Sequence, residues 1–140
     1  MPGRRLLVAD AVGTVALLAV TIASALSEAT AVAAAGLVVA SVLFVGGCAT
    51  FAVGFLRALG RSRDEEIDLA GLFYLTGSAP ADVRRAFLRI WFAQMAVAVA
   101  AIVVSRPPFA VMAPVWGVGL ITLWASRFAT FGPRATGRAR

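Results

Sequence analysis

The chain has no histidine and no lysine, and its single cysteine, Cys48, sits inside an apolar run. Each absence removes a class of chemistry. Without histidine there is no His-assisted nucleophile, no imidazole proton relay and no His-based transition-metal site. One cysteine can form neither an intrachain disulfide nor a cysteine metal cage. Charge is also scarce, at 14% of 140 residues, while 61% are hydrophobic and the mean hydropathy is +0.90. A soluble domain is about half apolar. These apolar residues come in long blocks, which points to bilayer spans and to a single membrane domain over residues 1–140.

Four apolar runs lie at residues 6–26, 31–56, 86–104 and 108–125. Each approaches the ~20 residues that cross a hydrocarbon core of ~30 Å. The alternating polarity of membrane strands is absent, so the expected class is all-α: four transmembrane helices, with a cytoplasmic loop at 57–85 and a basic tail at 126–140. The fourth run is interrupted by Pro114, Gly117 and Gly119. Neighbouring helices can compensate a kink there.

The net charge of +6 comes from thirteen arginines that flank apolar blocks and form no basic face. That distribution argues against nucleic acid and for a bilayer with anionic lipids. Two arginines precede the first run, six flank the middle loop and four follow the last run, leaving only Arg106 for the other two connections. The positive-inside rule then places both termini and the middle loop in the cytoplasm. The expected location is a membrane crossed several times, with both termini on its cytoplasmic side. A basic start, an apolar stretch and small residues at Ala23 and Ala25 also fit a cleavable signal peptide. Asp10 within that stretch, and its full spanning length, favour a retained helix.

The middle loop collects most of the polar residues. Ser62 followed by Glu65 has the form of a capping box, and Asp64, Glu65 and Glu66 suit a first helical turn. Ile67 to Leu75 is apolar but too short to span, with Gly77 as a stop. A short interfacial helix on the cytoplasmic side is expected here, with Tyr74 at interface depth. The acidic cluster includes Asp64 and Asp68 on one helix face, yet nearby Arg57, Arg61 and Arg63 neutralise it. No phosphate-binding loop or second carboxylate cluster completes a catalytic or metal site, so capping and local ion pairing are the expected roles. Asp64, Glu65, Glu66, Asp68, Phe73 and Tyr74 are the candidate docking residues for a partner protein.

The stretch EEIDLAGLFYLTGSAPADVRR (Glu65 to Arg85) and the tail WASRFATFGPR (Trp124 to Arg134) carry a resemblance. About half the chain resembles a family of small, uncharacterised actinobacterial integral membrane proteins. The resemblance implies a four-helix inner-membrane protein and supplies no activity. Relatives are expected to carry His-Gly where this chain has Phe128-Ala129. No role that rests on that histidine carries over.

Within the spans, Asp10 and Arg89 are the ionisable residues, both near the cytoplasmic ends of their helices. A structural ion pair between them, with Arg57 as second candidate, would offset the cost of burying either. Gly46, Thr50 and Gly54 form a small-residue ridge that lets another helix approach, within the molecule or in a homodimer, and Gln94 is placed to bridge helices. No acidic residue lies at mid-bilayer to drive proton-coupled export. The expected function is therefore non-enzymatic: an accessory or scaffold subunit of a larger membrane complex, needing no cofactor. The alternative is a small oligomeric carrier or flippase for a lipid-linked or small-molecule substrate.

Overall fold

The computed structural model describes residues 3–104 and 109–134. Four of its helices are long and apolar enough to cross a membrane. Helix α1 covers Arg4–Leu26, α2 Thr30–Arg61 and α4 Ala81–Val104, with a short helix α3 at Leu69–Tyr74. The fourth span is composite, a 3-10 turn at Phe109–Met112 followed by α5 at Val115–Phe128. Pro114 separates the two pieces and stands at the N-cap of α5, where its missing N–H costs nothing. The helix therefore starts after the proline and runs on to Phe128, beyond the expected end at 125.

Helix α2 has 32 residues, about 48 Å at helical rise, so it overshoots a ~30 Å core by several turns. That overshoot alters the reading of the loop. Ser62 is the C-cap of α2, and its hydroxyl donates to Leu59 O at 2.7 Å. The expected capping box is thus absent: Ser62 ends a helix instead of starting one. The helix start lies at Asp68, whose carboxylate accepts from Gly71 N at 2.9 Å.

Helix α5 is the axis of the bundle. In its span 61% of the residues are buried, against 17–22% in the other three spans. Helices α1, α2 and α4 surround it, and α3 packs on it near the loop that joins α2 to α4, termed here the loop end. The α2–α5 contact is the closest. A Cβ on Gly47 would come within 2.6 Å of the Val115 and Trp116 backbone, and one on Gly54 within 2.7 Å of Leu123 N. A Cβ on Gly119 would strike Gly47 O and the Thr50 hydroxyl. In lipid, apolar side chains gain little by meeting one another, so close backbone approach through small residues is what holds two helices together. Thr50, the polar member of the ridge, donates to Gly46 O (2.9 Å) and Gly47 O (3.0 Å) of its own helix. Gly46 faces the Trp116 ring. The ridge Gly46, Thr50 and Gly54 is therefore occupied within the molecule.

Two buried clusters follow from this arrangement. The larger joins Leu72 of α3 and its C-cap Leu75, Val83 and Phe87 from α4, and Leu120, Ile121 and Trp124 from α5. The smaller, around Leu17, Leu43 and Ala113, lies toward the opposite end. Elsewhere the long helices present apolar surface outward, as at Val12, Val15, Val42, Val45 and Val99. Water penalises such a surface, while lipid tails solvate it.

Candidate functional site

At the loop end, chain segments distant in sequence are tied into one unit. Residues Glu65–Glu66 form strand β1, which pairs antiparallel with β2 at Gly132–Pro133. Arg134 N extends the pairing by donating to Asp64 O at 3.0 Å, and Thr130 N donates to Ser78 O at 2.9 Å. Ser78, itself buried, donates its hydroxyl to Gly71 O at 2.7 Å. Helix α3 closes with Leu75 in the left-handed region at φ 55°, and Gly77 follows at φ 71°. A left-handed leucine costs about 1–2 kcal/mol. Here it is fully buried, and that burial offsets the strain.

Arg61 organises this unit. Its guanidinium donates to Ser126 O (3.1 Å), Ala129 O (2.9 Å) and, more weakly, Ala125 O (3.4 Å). These are carbonyls at the C-terminal end of α5, where the helix dipole is negative; Ala125 O also accepts from Ala129 N at 3.1 Å. The same guanidinium pairs with both oxygens of Glu65, at 2.6 and 3.3 Å, and lies 5.4 Å from the Phe131 ring centre. The planar fork of arginine suits this divergent set of acceptors.

The six candidate docking residues divide accordingly. Glu65 is held by Arg61, and Asp68 caps α3. Phe73 stacks on Phe51 of α2 with centroids 5.9 Å apart, and Tyr74 meets Trp91 edge-on at 6.4 Å. Asp64 and Glu66 are exposed, and so is Leu69 at 69%. Asp64, Glu66, Leu69 and the outer face of Tyr74 thus stand free on the unit, beside the exposed Arg63 and Arg134.

A second polar site lies inside the bundle. Asp10 is fully buried, and its Oδ1 accepts from Gln94 Nε2 at 2.7 Å. The same nitrogen donates to Thr14 Oγ1 at 2.8 Å, while the Thr14 hydroxyl donates to Asp10 O. Trp116 Nε1 reaches Ala9 O at 3.2 Å, and its ring is seated between Gly13 and Gly46. The expected ion pair of Asp10 with Arg89 is corrected here. Arg89 and Arg57 are both exposed on their helices, and the only ion pair among the described residues joins Arg61 to Glu65. The reason is the helical face: on α4, Gln94 turns inward while Arg89 turns outward. Among the described residues, three buried side-chain polar atoms remain without a partner: Asp10 Oδ2, Gln94 Oε1 and Trp91 Nε1.

Trp91 also lines a groove of about 240 Å³ with Phe51, Phe73, Tyr74, Val118 and Ile121. Its origin is architectural. Helices α2 and α4 flank α5 and scarcely touch each other; α1 bridges them on one side. The groove draws its walls from α2, α3 and α4, and its floor from α5.

Sequence reasoning singled out neither Arg61 as the organiser nor Trp91 and Trp116, and read Gly117 only as an interruption of the fourth run. For Arg61 a local signal existed in Glu65, four residues on. The carbonyls it caps are more than sixty residues away. Among the described residues no cluster of three or more metal-ligating side chains occurs. Compared with known protein families, curated proteins and solved structures, the chain matches none.

Proposed function

We propose that this is a multi-pass protein of a bacterial plasma membrane with a non-enzymatic role, an accessory or scaffold subunit whose loop end is the docking platform for a partner. The observation that carries this reading is the folded loop end itself. A loop that merely connects two spans needs no strand pairing, no buried Ser78 and no arginine bound to three carbonyls of another helix. These features fix the position of an exposed acidic and apolar surface, Asp64, Glu66 and Leu69. Arginine placement puts that surface in the cytoplasm. Membership of the actinobacterial family suggested by the Glu65–Arg85 and Trp124–Arg134 stretches remains part of the proposal.

The test is co-purification from native membranes in mild detergent, comparing the wild-type chain with a Glu66→Arg, Leu69→Asp double variant. A defined partner should be enriched with the wild type and lost with the variant, while the variant keeps its melting temperature. Equal recovery with both proteins would end the platform reading.

One observation favours the second reading, a small oligomeric carrier or flippase. The aromatic groove is an apolar site of the kind a lipid-linked substrate could use. Purified protein in vesicles would then move substrate unaided, and as a homo-oligomer.

A further inference from the structure

We infer that the aromatic groove is a binding site for a quaternary ammonium group, the trimethylammonium head of a single-chain amphiphile. The inference rests on the groove alone and needs neither the docking role of the loop end nor transport.

Four of the six lining residues are aromatic: Phe51 from α2, Phe73 and Tyr74 from α3, and Trp91 from α4. None of the four is buried, so each side chain keeps accessible surface, and Tyr74 is 51% exposed. The rings are held in two pairs. Phe51 and Phe73 are nearly parallel, with planes 8° apart and centroids 5.9 Å apart. Tyr74 and Trp91 meet at 75° with centroids 6.4 Å apart, which turns a corner in the wall. Val118 and Ile121 of α5 close the floor, and no lining residue is charged. An aromatic ring is negative over its face, so a site walled by several rings attracts a cation without any carboxylate.

Size and donor pattern select the cation. At about 240 Å³ the groove is smaller than the ~300–1,000 Å³ of pockets that enclose drug-sized ligands, so it takes a head group and not a whole amphiphile. A helix, ~10 Å across with its side chains, does not fit. A primary ammonium brings three N–H donors, and among the lining side chains the Tyr74 hydroxyl is the one strong acceptor. A trimethylammonium brings no donor and presents only methyl groups to the rings. In a phosphocholine the anion follows close behind the cation, and no lining residue pairs with it. The arginines of α4 oppose the cation little. Arg89, two residues from Trp91, points to the other side of the helix, and Arg84 on the same face is about 10 Å away, roughly a Debye length. One turn deeper on that face Met95, 40% exposed, offers the tail an apolar path.

The experiment measures binding of tritiated decyltrimethylammonium to the full-length protein in maltoside micelles, which carry neither charge nor choline. The competitors are decylammonium, decylphosphocholine and the neutral tert-butyl analogue, in which carbon replaces nitrogen. In the wild type the trimethylammonium should bind about tenfold more tightly than the neutral analogue, and more tightly than the other two. Trp91→Leu removes the strongest cation-binding ring and should cut that preference to about threefold or less, with Trp91→Phe between the two. A preference is a ratio, so a general loss of packing does not imitate the effect. Should Trp91→Leu fail to fold, Trp91→Phe and the wild-type competition series still decide the matter. Equal binding of the cation and its neutral analogue would make the groove a purely apolar contact and overturn the inference. So would decylammonium or decylphosphocholine as the tightest ligand, or a preference unchanged in Trp91→Leu, which would put the cation elsewhere.

Discussion

Gln94 on α4 and Asp10 on α1 are joined by an N–H···O bond of 2.7 Å across 84 residues of chain, and no arginine completes the pair. The carboxyl accepts from the Gln94 amide, while the Thr14 hydroxyl accepts from that amide and donates to the Asp10 backbone carbonyl. Such bonds between membrane helices contribute roughly 1 kcal/mol, because the separated helices also find partners.

The first prediction tests that link. Gln94→Leu should lower detergent stability by about 1–2 kcal/mol, since it leaves Asp10 buried without its donor. In an Asp10→Leu background the same substitution should cost measurably less, giving a coupling of about 1 kcal/mol. Arg89→Gln should show no coupling to Asp10. A thermal double-mutant cycle reads all three, and coupling to Arg89 in place of Gln94 would restore the ion pair.

A glycine series checks the helix packing. Gly47→Ala puts a methyl against the backbone of α5 and should destabilise by about 1–3 kcal/mol through overpacking. Gly60→Ala, in the same helix with nothing within 4 Å, should instead stabilise by up to about 1 kcal/mol through helix propensity. Opposite shifts in melting temperature are the expected readout.

Arg61 gives the third prediction. Arg61→Met removes donors from three carbonyls and a carboxylate at once, so the strand pair and α3 should loosen together. Hydrogen exchange should accelerate at residues 64–78 and 130–134 while the spanning helices stay protected. Arg61→Lys should not restore protection, because a point-like ammonium cannot serve divergent acceptors.

The helices were legible in the sequence because hydropathy acts over twenty residues at a time, and four long apolar helices are what the chain forms. The ends were less so. Helix α2 continues to Arg61 because Arg57–Arg61 holds no proline and Gly60 weakens the helix without ending it, although the stretch is too polar to count as apolar run. The same overshoot turned Ser62 from a helix start into a helix end. Polar residues inside the bundle were found, but their partners depend on helix rotation, which hydropathy does not encode. Hence the sequence pairs Asp10 with Arg89, whereas on α4 it is Gln94, five residues on, that turns inward. The packing of Gln94 and Trp91 against Gly117 depends on α4 meeting α5, and no local pattern announces it.

Topology is the fourth prediction. Arginine asymmetry motivates cytoplasmic termini and a cytoplasmic loop end. Reporter fusions after Gly77 and Arg140 should behave as cytoplasmic, and a fusion at Glu28 as external. A periplasmic signal at Gly77 would invert the docking surface and remove the basis of the proposed role.

The final prediction concerns the depth of α3. Its inner face is settled by packing, since Leu72 is 2% exposed and Leu75 fully buried against α4 and α5. Leu69, on the outer face, is 69% exposed. A leucine there either meets lipid at the interface or meets water, and the alternatives differ by about 1 kcal/mol or more for a mostly exposed side chain. An interfacial α3 makes a spin label at Leu69 sensitive to oxygen and shielded from a water-soluble nickel relaxant. A label at Glu66 should show the reverse, and one at Leu72 should be shielded from both. If Leu69 proves as open to nickel as Glu66, α3 stands clear of the membrane. Leu69 would then be an apolar residue displayed to the cytoplasm, which a docking partner would explain and lipid would not.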